Sequence, residues 1–74
     1  MVINDFIELF AEAIEVENAK ALTPDTAFHE LSEWSSISVM LLIAFFDDEF
    51  EKEITPSEIN AAKTIEDLYN IAKA

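Results

Sequence analysis

Eight consecutive apolar residues, Val39-Met40-Leu41-Leu42-Ile43-Ala44-Phe45-Phe46, set the strongest constraint on how this chain folds. A run of that length is buried on most sides or presents an apolar patch to a ligand or partner. By periodicity alone it reads equally as a buried strand or as part of a helix. Its flanks favour the helix. Ser36 ahead of it is a good N-cap residue, and behind it the run passes without a break into Asp47-Asp48-Glu49-Phe50-Glu51-Lys52. Val39, Ile43, Phe46 and Phe50 recur at helical spacing, which predicts one helix over residues 36–51 with those four on its inner stripe. The absence of glycine, with only two prolines, suits a helical domain far better than a turn-rich β domain.

The rest of the chain supplies helices to pack against that one. Ile3, Phe6, Ile7, Phe10, Ala13 and Ile14 make an apolar stripe over residues 3–16, with Asn4 as the expected cap and Asp5, Glu8, Glu12 and Glu15 largely on the other side. Residues 17–35 read as a long connection, because Pro24 fixes φ and disfavours helix at Thr23. Leu22, Ala27, Phe28 and Leu31 are the expected anchors of that loop. Thr55-Pro56, with Glu58 in the capping-box position, opens a short third helix over residues 55–62. Thr64 opens a fourth over 64–73, with Ile65, Leu68, Tyr69 and Ala72 as its stripe. The reading is one all-α domain over residues 1–74, a small four-helix bundle of three longer helices and a short third. Its expected core is Phe6, Phe10, Ile14, Phe28, Val39, Ile43, Phe46, Ile54, Ile59, Ile65, Leu68 and Tyr69.

Charge narrows the function. Sixteen acidic residues against four lysines give a net charge of −12. That works against nucleic acid, whose phosphates need a basic footprint, and against anionic membrane surfaces. It suits a partner with a basic patch, or it serves solubility alone. No stretch is long enough to span a bilayer, and the N-terminus lacks the basic start and cleavage site of a signal peptide, so a soluble cytoplasmic protein is expected.

Catalytic chemistry is sparse. There is no Cys and no Arg, and the one His, His29, stands in the loop with no recognisable partner. The acidic run from Asp47 to Glu53 lacks the glycine turn and alternating spacing of a calcium loop, so no metal site is expected. Ser36 is the residue to explain. As a nucleophile it lacks a base. As a hydroxyl at a helix N-terminus it is well placed to carry a phosphate ester, and equally well placed to be only a cap.

Five segments carry a resemblance. They are Phe28-His29-Glu30-Leu31, Trp34-Ser35-Ser36-Ile37, Asp47-Asp48-Glu49-Phe50, Ile54-Thr55-Pro56-Ser57-Glu58 and Lys63-Thr64-Ile65-Glu66-Asp67-Leu68. In that order and spacing they make the chain, from Thr23 to Ala72, resemble the acyl carrier proteins. The first helix matches in pattern only.

The resemblance implies a carrier, not an enzyme. It implies that Ser36 bears 4′-phosphopantetheine, installed from coenzyme A by a separate phosphopantetheinyl transferase. Acyl groups are then held as thioesters on the arm, for fatty-acid or polyketide-like synthesis, by a protein expected to be a monomer. The implied partners are acyl-transfer, ketosynthase or ligase enzymes with basic or mixed apolar docking patches. Ser35, Ile37, Met40, Leu41, Ala44, Asp47 and Asp48 are the expected contact residues. Ser35 stands where the family's signature has aspartate, and Ser38 and Leu41 stand where many members are acidic. The expected dock is therefore more apolar near the serine. Excess apolar surface around the second helix offers a place for an acyl chain. An aminoacyl or peptidyl carrier is the alternative, although such carriers usually have glycines before the serine. An unmodified acidic interaction module is a further one.

Overall fold

The computed structural model describes residues 1–74 as an all-helical protein. Helix α1 spans Ile3–Ala13, α2 Ser36–Phe50, α3 Pro56–Ala61 and α4 Ile65–Lys73. Two short 3₁₀ turns, Ala19–Ala21 and Phe28–Glu30, lie in the connection between α1 and α2. No helix is long and apolar enough to cross a membrane.

The core is built around Phe6. Its ring lies 5.5 to 6.5 Å from those of Phe10, Phe45, Phe46, Phe50 and Tyr69, which joins α1, α2 and α4. Truncating so enclosed a phenylalanine to alanine removes about 3–5 kcal/mol. For a chain this small that is a large share of its stability.

The inner face of α2 differs from the expected one. Ser38, Leu42, Phe45 and Phe46 are the buried residues, while Val39, Ile43 and Phe50 are only partly covered. Tyr69 is likewise half-buried, and its hydroxyl donates to the Met1 carbonyl at 2.6 Å. Because α2 is apolar nearly all round, its sequence gives the stripe no preferred phase, and packing against Phe6 sets it.

Helix α1 stops at Ala13, three residues before the expected end. Glu15 takes a left-handed conformation at φ 60°, the Val16 N–H bonds to the Ala11 carbonyl at 2.9 Å, and the Glu15 N–H bonds to Glu12 at 3.3 Å. This is a Schellman closure with glutamate in the place usually held by glycine, and it turns Val16 back onto the core. At the other end Val2, not Asn4, is the N-cap, and it contributes no side-chain bond. Asn4 lies inside the helix and is exposed.

The long connection is held as closely as a helix. Leu22 and Phe28 are buried, and Leu31 and Trp34 pack partly against the core. The Thr26 and Pro24 carbonyls accept from the Ile65 and Glu66 N–H groups at 3.2 and 3.0 Å, which serves the free amides at the start of α4. His29 does the converse for α3. Its Nε2 lies 3.0 Å from the Ala62 carbonyl and 3.2 Å from the Ile59 carbonyl, so Nε2–H donates to the orphan acceptors at that helix end. The expected capping box of α3 is present, Thr55 with Glu58, and at the expected cap of α4, Thr64, a second box forms with Asp67.

Candidate functional site

The connection delivers the chain to α2 through Trp34. This half-buried indole stands edge-on to Phe28 at 5.0 Å and to His29 at 5.1 Å. The rings hold the last loop residues against the core, so the entrance to α2 starts from a fixed point.

The next four residues are arranged by hydrogen bonding. Ser35 is the N-cap, with extended backbone at φ −149° and ψ 177°. Ser38, only 2% exposed, accepts from the Ser35 N–H at 3.0 Å, and its hydroxyl lies 3.5 Å from the Glu33 carbonyl. The return contact from the Ser35 hydroxyl to the Ser38 N–H is looser, because that N–H is committed to the Ser35 carbonyl at 3.0 Å.

The cap therefore lies one residue earlier than the sequence suggests, and Ser36 is the first residue of the helix proper. This frees it. Ser36 is exposed, its hydroxyl makes no hydrogen bond within the chain, and neither do the N–H groups of Ser36 and Ile37. The first turn carries no acidic side chain. Two unpaired amides at the positive end of a 15-residue helix favour an anion. A phosphodiester on Ser36 fits that place, since its charge would meet donors and no nearby carboxylate of the first turn. The acid just before it, Glu33, is held below the ordinary carboxylate range by its own backbone N–H and by the Ser32 hydroxyl at 3.1 Å.

Beyond Ser36, helical spacing places Ile37, Met40, Ala44, Asp47 and Asp48 on one outward stripe, and all five are exposed. Ile37 and Met40 are 62% and 69% exposed, unusual for residues of their size in so small a protein. Ser35 is exposed at the head of the stripe. Leu41 is only half-exposed and belongs to the flank that faces α1. On the opposite flank Met40, Ile43, Ala44, Ile54 and Pro56 line an open groove of about 530 Å³, with Asp47 and Lys52 at its edge.

The family of the phosphopantetheine attachment site matches residues 4–71, and so includes the whole of this entrance. The chain belongs to that family. No curated protein matches it.

A phosphopantetheine carrier is a non-catalytic protein that bears its cofactor, 4′-phosphopantetheine, covalently and works with a phosphopantetheinyl transferase and with partner enzymes. For a carrier, the sparse catalytic chemistry needs no further account. His29, the one imidazole, is spent on α3, and no group of His, Cys, Asp or Glu residues converges to hold a metal ion. Aspartate and serine are both strong N-caps, and serine at position 35 starts the helix without adding charge. Sequence reasoning missed the clamp role of His29. Its only local signal was a position in a loop rich in anchors.

Proposed function

We propose that Ser36 carries the 4′-phosphopantetheine arm, and that the protein is a discrete acyl carrier for fatty-acid or polyketide-like synthesis. It acts as one domain, a cytoplasmic monomer. The observation that carries the assignment to Ser36 is its free, exposed hydroxyl beside two unpaired amides, in a segment where Ser35 caps and Ser38 is buried. The arm supplies the thiol that the chain, which has no cysteine, lacks. The residues of the chain do the rest. The Ser36 and Ile37 amides offer hydrogen bonds to the phosphate, and Ser35 and Ser38 fix the helix start that aims them.

The outward stripe of α2 is the proposed dock for the transferase and the acyl-transfer, ketosynthase or ligase enzymes. Ile37, Met40 and Ala44 provide apolar contact near Ser36, with Leu41 on the flank, and Asp47 and Asp48 provide charge further along. Such a surface suits partners with a mixed apolar and basic patch better than purely basic ones. The open groove beside Met40 and Ile43 gives an apolar cargo a place to lie.

The test is an intact mass after incubation with coenzyme A, Mg²⁺ and phosphopantetheinyl transferases of broad specificity. The protein gains one phosphopantetheinyl group, Ser36→Ala gains none, and Ser35→Ala still gains one. Gain by Ser36→Ala together with loss in Ser35→Ala would move the site by one residue. No gain with any of several transferases would remove the carrier reading for this chain.

A further inference from the structure

Leu9 stands between Glu8 and Glu12 at the margin of the apolar stripe of α1, and packs partly against the core. Its uncovered part lines a groove between α1 and α2. Leu9 and Ala13 line it from α1, and Leu41 and Phe45 from α2. Each is an i, i+4 pair, so two helical ridges border one apolar floor. Glu12 rims that floor from α1, and Asp48 and Glu49 rim it from α2. A second groove shares Leu9 and Glu12 and continues along α1 to Val16 and Ala19. Asp5, Glu8 and Glu15 rim that continuation, with Lys20 its one cation. The two together make a furrow with six carboxylates and one ammonium about an apolar floor.

We infer that this α1–α2 furrow is a second docking surface, which receives a basic amphipathic helix from a partner protein. The charge selects the sign of the partner: lysine or arginine flanks meet the rims, whereas an anionic surface is repelled. The floor selects the form. A helix with apolar residues at i and i+4 sets its ridge between the two ridges already there, as a further helix joins a bundle. The furrow does not include the proposed attachment serine and does not rest on that assignment; its α2 side shares Leu41, Ala44 and Asp48 with the proposed dock, so a partner held there leaves Ser36, Ile37 and Met40 free.

The probe is a synthetic amidated peptide of leucine and lysine, about 14 residues long, with its leucines on one helical face. A peptide of the same composition with the leucines scattered is the control. Titration is followed by calorimetry and by amide chemical shifts of the isotope-labelled carrier. The facial peptide binds saturably, at least about tenfold tighter than the scattered one, and shifts centre on Leu9, Ala13, Leu41 and Phe45. Glu12→Lys with Asp48→Lys weakens it about tenfold, whereas the equal charge change Glu30→Lys with Glu66→Lys, away from the furrow, leaves it within about twofold. Ser36→Ala binds as the parent does, which separates failure here from failure of the attachment site. Absence of saturable binding overturns the inference. So does equal weakening by both charge pairs, or a set of shifts centred on Ile37 and Met40.

Discussion

The two ends of α2 are built on opposite terms. At its start, Ser35 and Ser38 organise the first turn, no acid intrudes, and the free amides suit an anion. At its end, Asp47, Asp48, Glu49 and Glu51 crowd the negative pole of the helix with no basic residue in the last turn. There Glu51 closes the helix in the left-handed region at φ 53°, which costs a side chain with a Cβ about 1–2 kcal/mol. The fold gains from the first arrangement and loses from the second. Carboxylates held where they weaken a helix are better explained by what meets them from outside, and this supports the reading of Asp47 and Asp48 as docking charge.

The comparison can be broken at either end. The largest expected effect is at the start. Ser38→Ala leaves the Ser35 N–H without its partner and costs about 1–2 kcal/mol, read as a lower urea midpoint. It also slows modification by the transferase, because the turn that holds Ser36 loosens. An unchanged midpoint would show that the serine pair does not organise this end.

At the other end the sign reverses. Glu51→Gly relieves the left-handed strain and removes one charge from the negative pole, so it stabilises by about 1 kcal/mol. Glu51→Ala removes only the charge and gains less. Equal midpoints for the two variants would place the whole effect in charge and none in backbone strain.

The smallest effect comes from acid, and it uses α4 as the reference. Asp67 caps that helix, and its carboxylate is held below the ordinary value of 3.8, chiefly by the Lys63 N–H at 2.9 Å and then by the Thr64 N–H at 3.1 Å. A depressed carboxylate contributes stability that is present above its unfolded value and lost as pH falls through the lower folded one. Amide protection in the first turn of α4 therefore falls below about pH 3.8, while the serine-capped start of α2, with no titrating group in its box, keeps its own. Parallel loss at both helices would mean that global unfolding, and not the cap, is being read.

Much of this was legible in the sequence, and the exceptions have physical causes. The capping box at Thr55 and the cap at Thr64 carry local signals and lie where the sequence puts them. The end of α1 does not, because the usual marker is glycine and here Glu15 takes that conformation. The inner face of α2 was misplaced for the opposite reason: with apolar residues on every side, periodicity carries no phase. The pattern predicts Phe46 in the core, where it lies, but points to Val39 and Ile43 in place of Leu42 and Phe45. The cap was assigned to Ser36 because one serine in a run looks like the next. Only the committed partners of Ser35 and Ser38 distinguish them.

The His29 clamp has a consequence for how the molecule opens. A six-residue helix such as α3 has too few turns to persist alone, and the connection that carries His29 has no ladder of its own. One imidazole joins them, so each loses a hydrogen-bonded partner when the other leaves. The two belong to a single cooperative unit, and hydrogen exchange at α3 and at the 3₁₀ turn Phe28–Glu30 should follow one common opening free energy. That turn also leads through Trp34 to Ser36. The start of α2 thus shares the fate of a helix on the far side of the loop, and what loosens α3 will be felt at the proposed attachment serine.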